Sequence, residues 1–296
     1  MKPTIAIMSP GDMGHAVGAV LRQAGLRVIT QLDGRSERTR ALAAQAGIEE
    51  VADDATLARA ADLLLSILVP AEALALAERF ARAIRGTGAM PLYVDCNAIA
   101  PQTARQVAEI VEGAGARVVD AGIIGPPPQP GATSTRFYAS GEAAAAFARL
   151  GDFGLDVRVV GEEPGQASAL KMCYAALTKG TTALMTELAI AAERLGVSAA
   201  LRAEFAESQP AMLERMQRAV PAMVPKAHRW VGEMAEIAKT FAACDLTPRT
   251  FEGAAELYAL VADTALGRIS PEDWRRQAET FEDVVSKLAR SRSWSG

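Results

Sequence analysis

The first stretch of the chain, residues 3–30, restricts the fold more than anything after it. Residues 3–9 (PTIAIMS) read as a buried strand. Gly11 and Gly14 follow, His15 to Ala24 has helical spacing, Gly25 stops it, and Leu26 to Thr30 is a second apolar run. Strand, glycine turn, helix and strand in so short a span make one βαβ unit, which commits the chain to parallel pairing.

The alternation then continues. Arg38 to Ala46 is helical in spacing, and Asp62 to Val69 (DLLLSILV) is a continuous apolar run, as expected of a strand covered on both faces. Pro70 opens a helix to about Arg85. Leu92–Cys96, a helix from Pro101 to Glu112, and Arg117–Ile124 follow. The prolines of residues 125–131 (GPPPQPG) lack N–H donors, so that segment is irregular. Thr135–Ala139 and Val157–Val160 are short strands around a helix at Glu142–Leu150.

Beyond Glu162–Gly165 only helical patterns remain: Gln166–Leu195, Leu201–Gln209, Ala211–Val220, Ala227–Ala243, Thr250–Thr264 and Pro271–Arg290. The predicted class is α/β: a Rossmann-type, doubly wound, mostly parallel sheet over residues 1–164, followed by an all-α domain over 165–296.

Composition narrows the functions. Half of the 296 residues are hydrophobic, enough for a large core, and the net charge is −4 with no basic run, which argues against nucleic acid as a partner. Cys96, Cys173 and Cys244 have neither metal nor disulfide spacing, so no metal site is expected and a reducing compartment fits. The chain enters a strand pattern at once and its apolar runs are too short to span a bilayer. The expectation is a cytoplasmic protein without a membrane segment.

The turn after the first strand reads Ser9-Pro10-Gly11-Asp12-Met13-Gly14. A dinucleotide fingerprint is G-x-G-x-x-G, with Ser9 here at its first glycine. Gly11 would let backbone approach a pyrophosphate, Gly14 would let helix pack on strand, and the helix N-terminus supplies N–H groups. After the second apolar run, Arg35, Ser36 and Arg38 form a candidate clamp for the 2′-phosphate of NADP. Asp33 argues for NAD, so NADP is favoured and NAD stays open. Leu68 and Val69, ending the apolar run, are also assigned to the cofactor.

This layout resembles the β-hydroxyacid dehydrogenase and 6-phosphogluconate dehydrogenase superfamily over essentially the whole chain. Gly11-Asp12-Met13-Gly14, Gly34-Arg35-Ser36, Val94 to Pro101, Asp120 to Pro126 and Gly165 to Ala175 are similar to its motifs. The stretches KMCYAALTKG (171–180) and RWVGEMAEI (229–237) look like a less characterised branch with a distinct C-terminal domain. The resemblance implies that Lys171 is the acid/base, placed in an interdomain cleft. Its chain neighbours Leu170, Met172, Cys173 and Tyr174 carry no charge, so desolvation is expected to lower its pKa. Lys179, about two turns on, is the weaker rival.

Tyr174 and Ala175 replace two family asparagines. Tyr174 is a candidate to bind substrate or orient Lys171, with core packing the alternative. Thr178 stands where decarboxylating relatives have their acid, so no such decarboxylation is expected. Asn97 would bind substrate or the nicotinamide amide, or else cap the local turn. Gly125 lies in the substrate turn, where Ile124-Gly125-Pro126 offers fewer donors than the family's Ser-Gly-Gly. Arg229, Glu233 and Glu236 share one helix face. Arg229 and Glu233 are candidate substrate contacts, with a solvated ion-paired face the alternative. The expected function is an NAD(P)-dependent interconversion of a small hydroxyl compound and its carbonyl by a homodimer. An imine reductase and a non-catalytic NADPH-binding protein are the rivals.

Overall fold

Leu63–Ser66 and Val118–Ile124 are buried at every position, so helices must cover both faces of the sheet that contains them. The computed structural model describes residues 2–129, 131 and 134–291. Among these, eight strands form one sheet: β1 Thr4–Met8, β2 Arg27–Thr30, β3 Glu49–Glu50, β4 Leu63–Ser66, β5 Leu92–Asp95, β6 Val118–Ile124, β7 Arg136–Ser140 and β8 Asp156–Gly161. Their order is β3-β2-β1-β4-β5-β6-β7-β8. Every pairing is parallel except β6 with β7.

One face packs on α1 (Asp12–Gln23), α2 (Glu37–Gln45) and α6 (Ala144–Ala148), through Val17, Leu21, Ala43 and Phe147. The other packs on α3 (Asp54–Ala60), α4 (Ala73–Thr87) and α5 (Pro101–Glu112), through Leu57, Phe80 and Val107. The chain goes from β1 to β2 on one side and crosses to β4 on the other. The strand order therefore reverses at β1, and ligands of such sheets bind beyond the strand ends at that reversal.

Two compact units divide at Met172/Cys173. That division falls within α7 (Gln166–Arg194). The second unit continues with α8 (Ser198–Ser208), α9 (Pro210–Met223), α10 (Ala227–Ala242), α11 (Arg249–Asp263), α12 (Pro271–Gln277) and α13 (Phe281–Arg290). Edge-on aromatic contact of Trp230 with Tyr258, centroids 5.2 Å apart, and Phe241 with Phe251 at 4.5 Å hold α10 to α11. Among the described residues no helix is long and apolar enough to cross a membrane.

Several elements differ from the sequence expectation, and α3 has no counterpart in it. The two-residue β3, of exposed glutamates, carries no apolar signal. The run 62–69 stays strand only to Ser66, because the Leu68 N–H is donated to the Asn97 side chain instead of the sheet. The helix expected over 271–290 is two helices. Ala278 turns left-handed (φ 47°), and Thr280 with Asp283 closes a capping box that starts α13 afresh.

Candidate functional site

The turn after β1 needs a residue at positive φ, and Ser9 supplies it at φ 62° without being glycine. The glycine-type turn is thus kept despite the substitution. A Cβ at Gly14 would lie 2.7 Å from the Ser9 carbonyl oxygen, so only glycine lets α1 approach this closely. A Cβ at Gly11 would meet nothing within 4 Å, which leaves an open approach in front of the helix start. No side chain caps α1, so its first N–H groups remain available to an anion. These residues fit a dinucleotide pyrophosphate.

Around this turn, Arg38 donates to Asp12 at 2.6 Å and offsets the one carboxylate in the first turn of α1. Ser36 caps α2 by accepting from the Thr39 N–H, Arg35 is half-buried beside it, and Asp33 is exposed. Pro10 is buried, Met13 packs against the core, and Val69 is exposed beyond β4.

The second cluster grows from the register of β5 and β6, which pairs Asp95 with Asp120. Asp120 receives the start of α7. Its Oδ2 accepts the Gly165 and Ser168 N–H groups, each at 2.9 Å, and its Oδ1 accepts the Ser168 hydroxyl at 2.6 Å. Ser140 donates to the same carboxylate and accepts the Ala167 N–H. Lys171 follows one turn later. A Cβ at Gly122 would stand 3.0 Å from the Lys171 Cβ and 3.3 Å from its Cδ, so glycine there lets the lysine stem lie flat on β6.

Lys171 is therefore not surrounded by neutral groups. Burial pushes the carboxyl of Asp95, 1% exposed, up to a pKa of about 7. Bonds from Asn97 oppose this, nearby Asp120 reinforces it, and the Lys171 ammonium pulls it back. The chain-neighbour reading missed both carboxylates because they come from other strands. Asp120, Gly122, Ser140 and Ser168 were likewise not marked as site residues. The Val-Asp and Asp-Ala positions of the motifs were the available signal.

The Asn97 side chain is fully bonded within the protein. Its amide donates to Ser66 and Asp95 at 2.8 and 2.9 Å and its oxygen accepts the Leu68 N–H. Both amide hydrogens are spent, so direct substrate donation is not its geometry. Gly125 adopts φ 131°, and a Cβ there would run into the Ser134 carbonyl oxygen, so only glycine fits. Tyr174 is 48% exposed and is not a core aromatic. Glu233 is not presented to a ligand. Its side chain is 9% exposed, and its carboxylate takes Lys179 and Arg229.

Two outcomes follow. Gly11→Ala should fold with unchanged stability yet bind dinucleotide about tenfold more weakly or worse, whereas Gly14→Ala should lose about 1–3 kcal/mol of stability. Calorimetric titration and chemical denaturation distinguish the pair. Asp95 titrates near 7 when folded and near 3.9 when unfolded. Between these values the folded protein holds the extra proton. This group's stabilising contribution is thus full below about pH 4 and is lost as pH rises through 7. The stability of the native protein relative to Asp95→Asn should fall by on the order of 3–4 kcal/mol over that window, in unfolding curves at several pH values.

The chain is similar to several known proteins. A 28.5 kDa protein of Methanothermus fervidus, encoded upstream of its 7S RNA, is 29% identical over 172 residues. The match spans 58% of this chain and 64% of that relative's length. A solved conserved protein of unknown function, described as structurally similar to 3-hydroxyacid dehydrogenases, is 29% identical with a TM-score of 0.66. It covers 90% of this chain and 100% of its own. The Mycobacterium tuberculosis 3-hydroxyisobutyrate dehydrogenase solved with L-serine shares the fold at 21% identity and TM-score 0.69, covering 97% and 99%. Residues 192–261, within the helical unit, match a domain of unknown function, DUF1932. Residues 4–153, with the glycine turn and the Asp95–Asp120 pair, match the NAD-binding domain of 6-phosphogluconate dehydrogenase, and the chain belongs to that family.

Proposed function

We propose that the protein is a nicotinamide-dependent oxidoreductase that interconverts a small hydroxyl compound and its carbonyl, with Lys171 as the general acid/base. The carrying observation is the Lys171 stem laid on Gly122 with its ammonium acting on buried Asp95. A nicotinamide supplies or accepts the hydride when bound. Lys171 gives a proton to the carbonyl oxygen in reduction and takes one from the hydroxyl in oxidation. Asp120 fixes the helix start and Asn97 fixes Asp95, so neither the amine nor the carboxyl must reorganise during the step.

Arg35, Ser36 and Arg38 favour NADP, with Arg38 drawn to the turn by Asp12. Gly125 is assigned to the substrate side. The buried carboxylates around a lysine favour turnover over passive cofactor binding, because a purely binding protein gains nothing from a proton-sharing cluster. Lys171→Met should retain NADPH affinity and lose about 10²–10⁴-fold in kcat across a panel of ketones, aldehydes and imines. Unchanged turnover would sink the assignment, and turnover confined to imines would make the protein an imine reductase.

The homodimer is part of the same proposal. Tyr174, Leu177, Leu184 and Leu195 are 48%, 66%, 61% and 76% exposed. At 100° per residue they fall within about 80° of one another around α7, an apolar stripe roughly 30 Å long. A second copy of the chain covers such a stripe. Light scattering should give a dimer at micromolar concentration and a monomer for Leu184→Glu. A monomeric native protein would refute it.

A further inference from the structure

In the helical unit two cations close on one buried carboxylate, and a third, Lys226, stands at the N-cap of α10 three residues before one of them. Lys179 on α7 donates its ammonium to Glu233 on α10, and Arg229 Nε stands 3.4 Å from the other oxygen of that carboxylate. The Lys179 ammonium also lies 5.4 Å from the centroid of Trp230. Trp230 is held by Tyr258, whose hydroxyl donates to the Lys179 carbonyl at 2.6 Å. The frame is therefore fixed by ring packing and hydrogen bonds rather than by solvent-exposed tethers.

Lys226, in the 3-10 turn just before α10, is the third cation. Crowding around its ammonium lowers its pKa first by desolvation, then by the like charges of Arg229 and Lys179. Its side chain is nevertheless accessible, and Arg229 is 44% exposed. Among the described residues no carboxylate pairs with Lys226. Glu233 offsets one charge of three, and like charges held this close cost energy unless an anion completes the set.

We propose that Lys226 and Arg229, backed by Lys179 and the Trp230 ring, form a binding site for the anionic group of a small organic ligand, a carboxylate or a phosphoryl group. Glu233 organises the cations and does not touch the ligand. The site stands on the helical unit alone and is independent of the redox assignment.

The test is calorimetric titration of the full chain with inorganic phosphate and, separately, with 3-hydroxybutyrate, in chloride-free buffer of low ionic strength. Saturable binding of either probe is expected, weakened tenfold or more by Lys226→Met and restored by Lys226→Arg. NADPH affinity should stay the same in Lys226→Met and the thermal midpoint should not fall, which separates this site from the phosphate-binding turn after β1. Binding of phosphate alone assigns a phosphoryl group, and of 3-hydroxybutyrate alone a carboxylate. Absence of saturable binding of both probes, or equal affinity in Lys226→Met, overturns the proposal.

Discussion

A single carboxylate, that of Asp120, holds the start of α7 to the sheet. The first N–H groups of a helix have no intrahelical partners, and a buried helix start without substitutes would be costly. Asp120 and Ser140 accept three of these groups from two adjacent strands of the sheet. Because the partners lie on β6 and β7, the rotation of α7 about its axis is fixed where Lys171 emerges. Gly122, two residues along β6, removes the side chain that would otherwise lift the lysine away. Everything assigned to Lys171 rests on this anchoring, since a lysine on a freely rotating helix would present its ammonium to water.

The glycine turn shows the same economy by different means. Ser9 occupies a left-handed backbone position that costs a non-glycine residue about 1–2 kcal/mol. It is held there because its carbonyl accepts the Gly11 N–H at 2.7 Å and faces Gly14 across the closest approach of helix to turn. Strain at such a position persists when the surroundings over-determine it. The turn therefore tolerates serine at its first position, while Gly14 is fixed by contact and Gly11 by what has to approach it.

The sheet and most helices were legible in the sequence because their signals are local. Continuous apolar runs marked β4 and β6, and Pro70 and Pro101 marked helix starts. The place of Lys171 early on α7 was legible from the helical run that opens after Gly165. What was not legible is what depends on register. Asp95 and Asp120 are 25 residues apart in the chain and meet only because β5 and β6 pair at those positions. Glu233 read as a candidate ligand contact because its spacing from Arg229 is visible in sequence, while Lys179, which buries it, comes from another helix. The break before α13 had a visible signal in Thr280 and Asp283, but the amphipathic run on both sides outweighed it.

Each cluster carries an excess of charge of one sign, and the two excesses are opposite. In the first unit two buried carboxylates share the field of one lysine. In the helical unit two cations share one carboxylate and a third stands three residues before one of them. A cluster selected only for stability would trade such groups for apolar packing, which is often neutral or favourable. Retained imbalance is better explained by something that arrives to correct it: a proton and the chemistry that moves it in the first case, an anion in the second. The two corrections differ in kind. A proton can be supplied by solvent and exchanged within the cluster, so Asp95 is able to take part while buried. An anion must reach its partners from outside, and the cations that await it, Lys226 and Arg229, are the exposed members of their group.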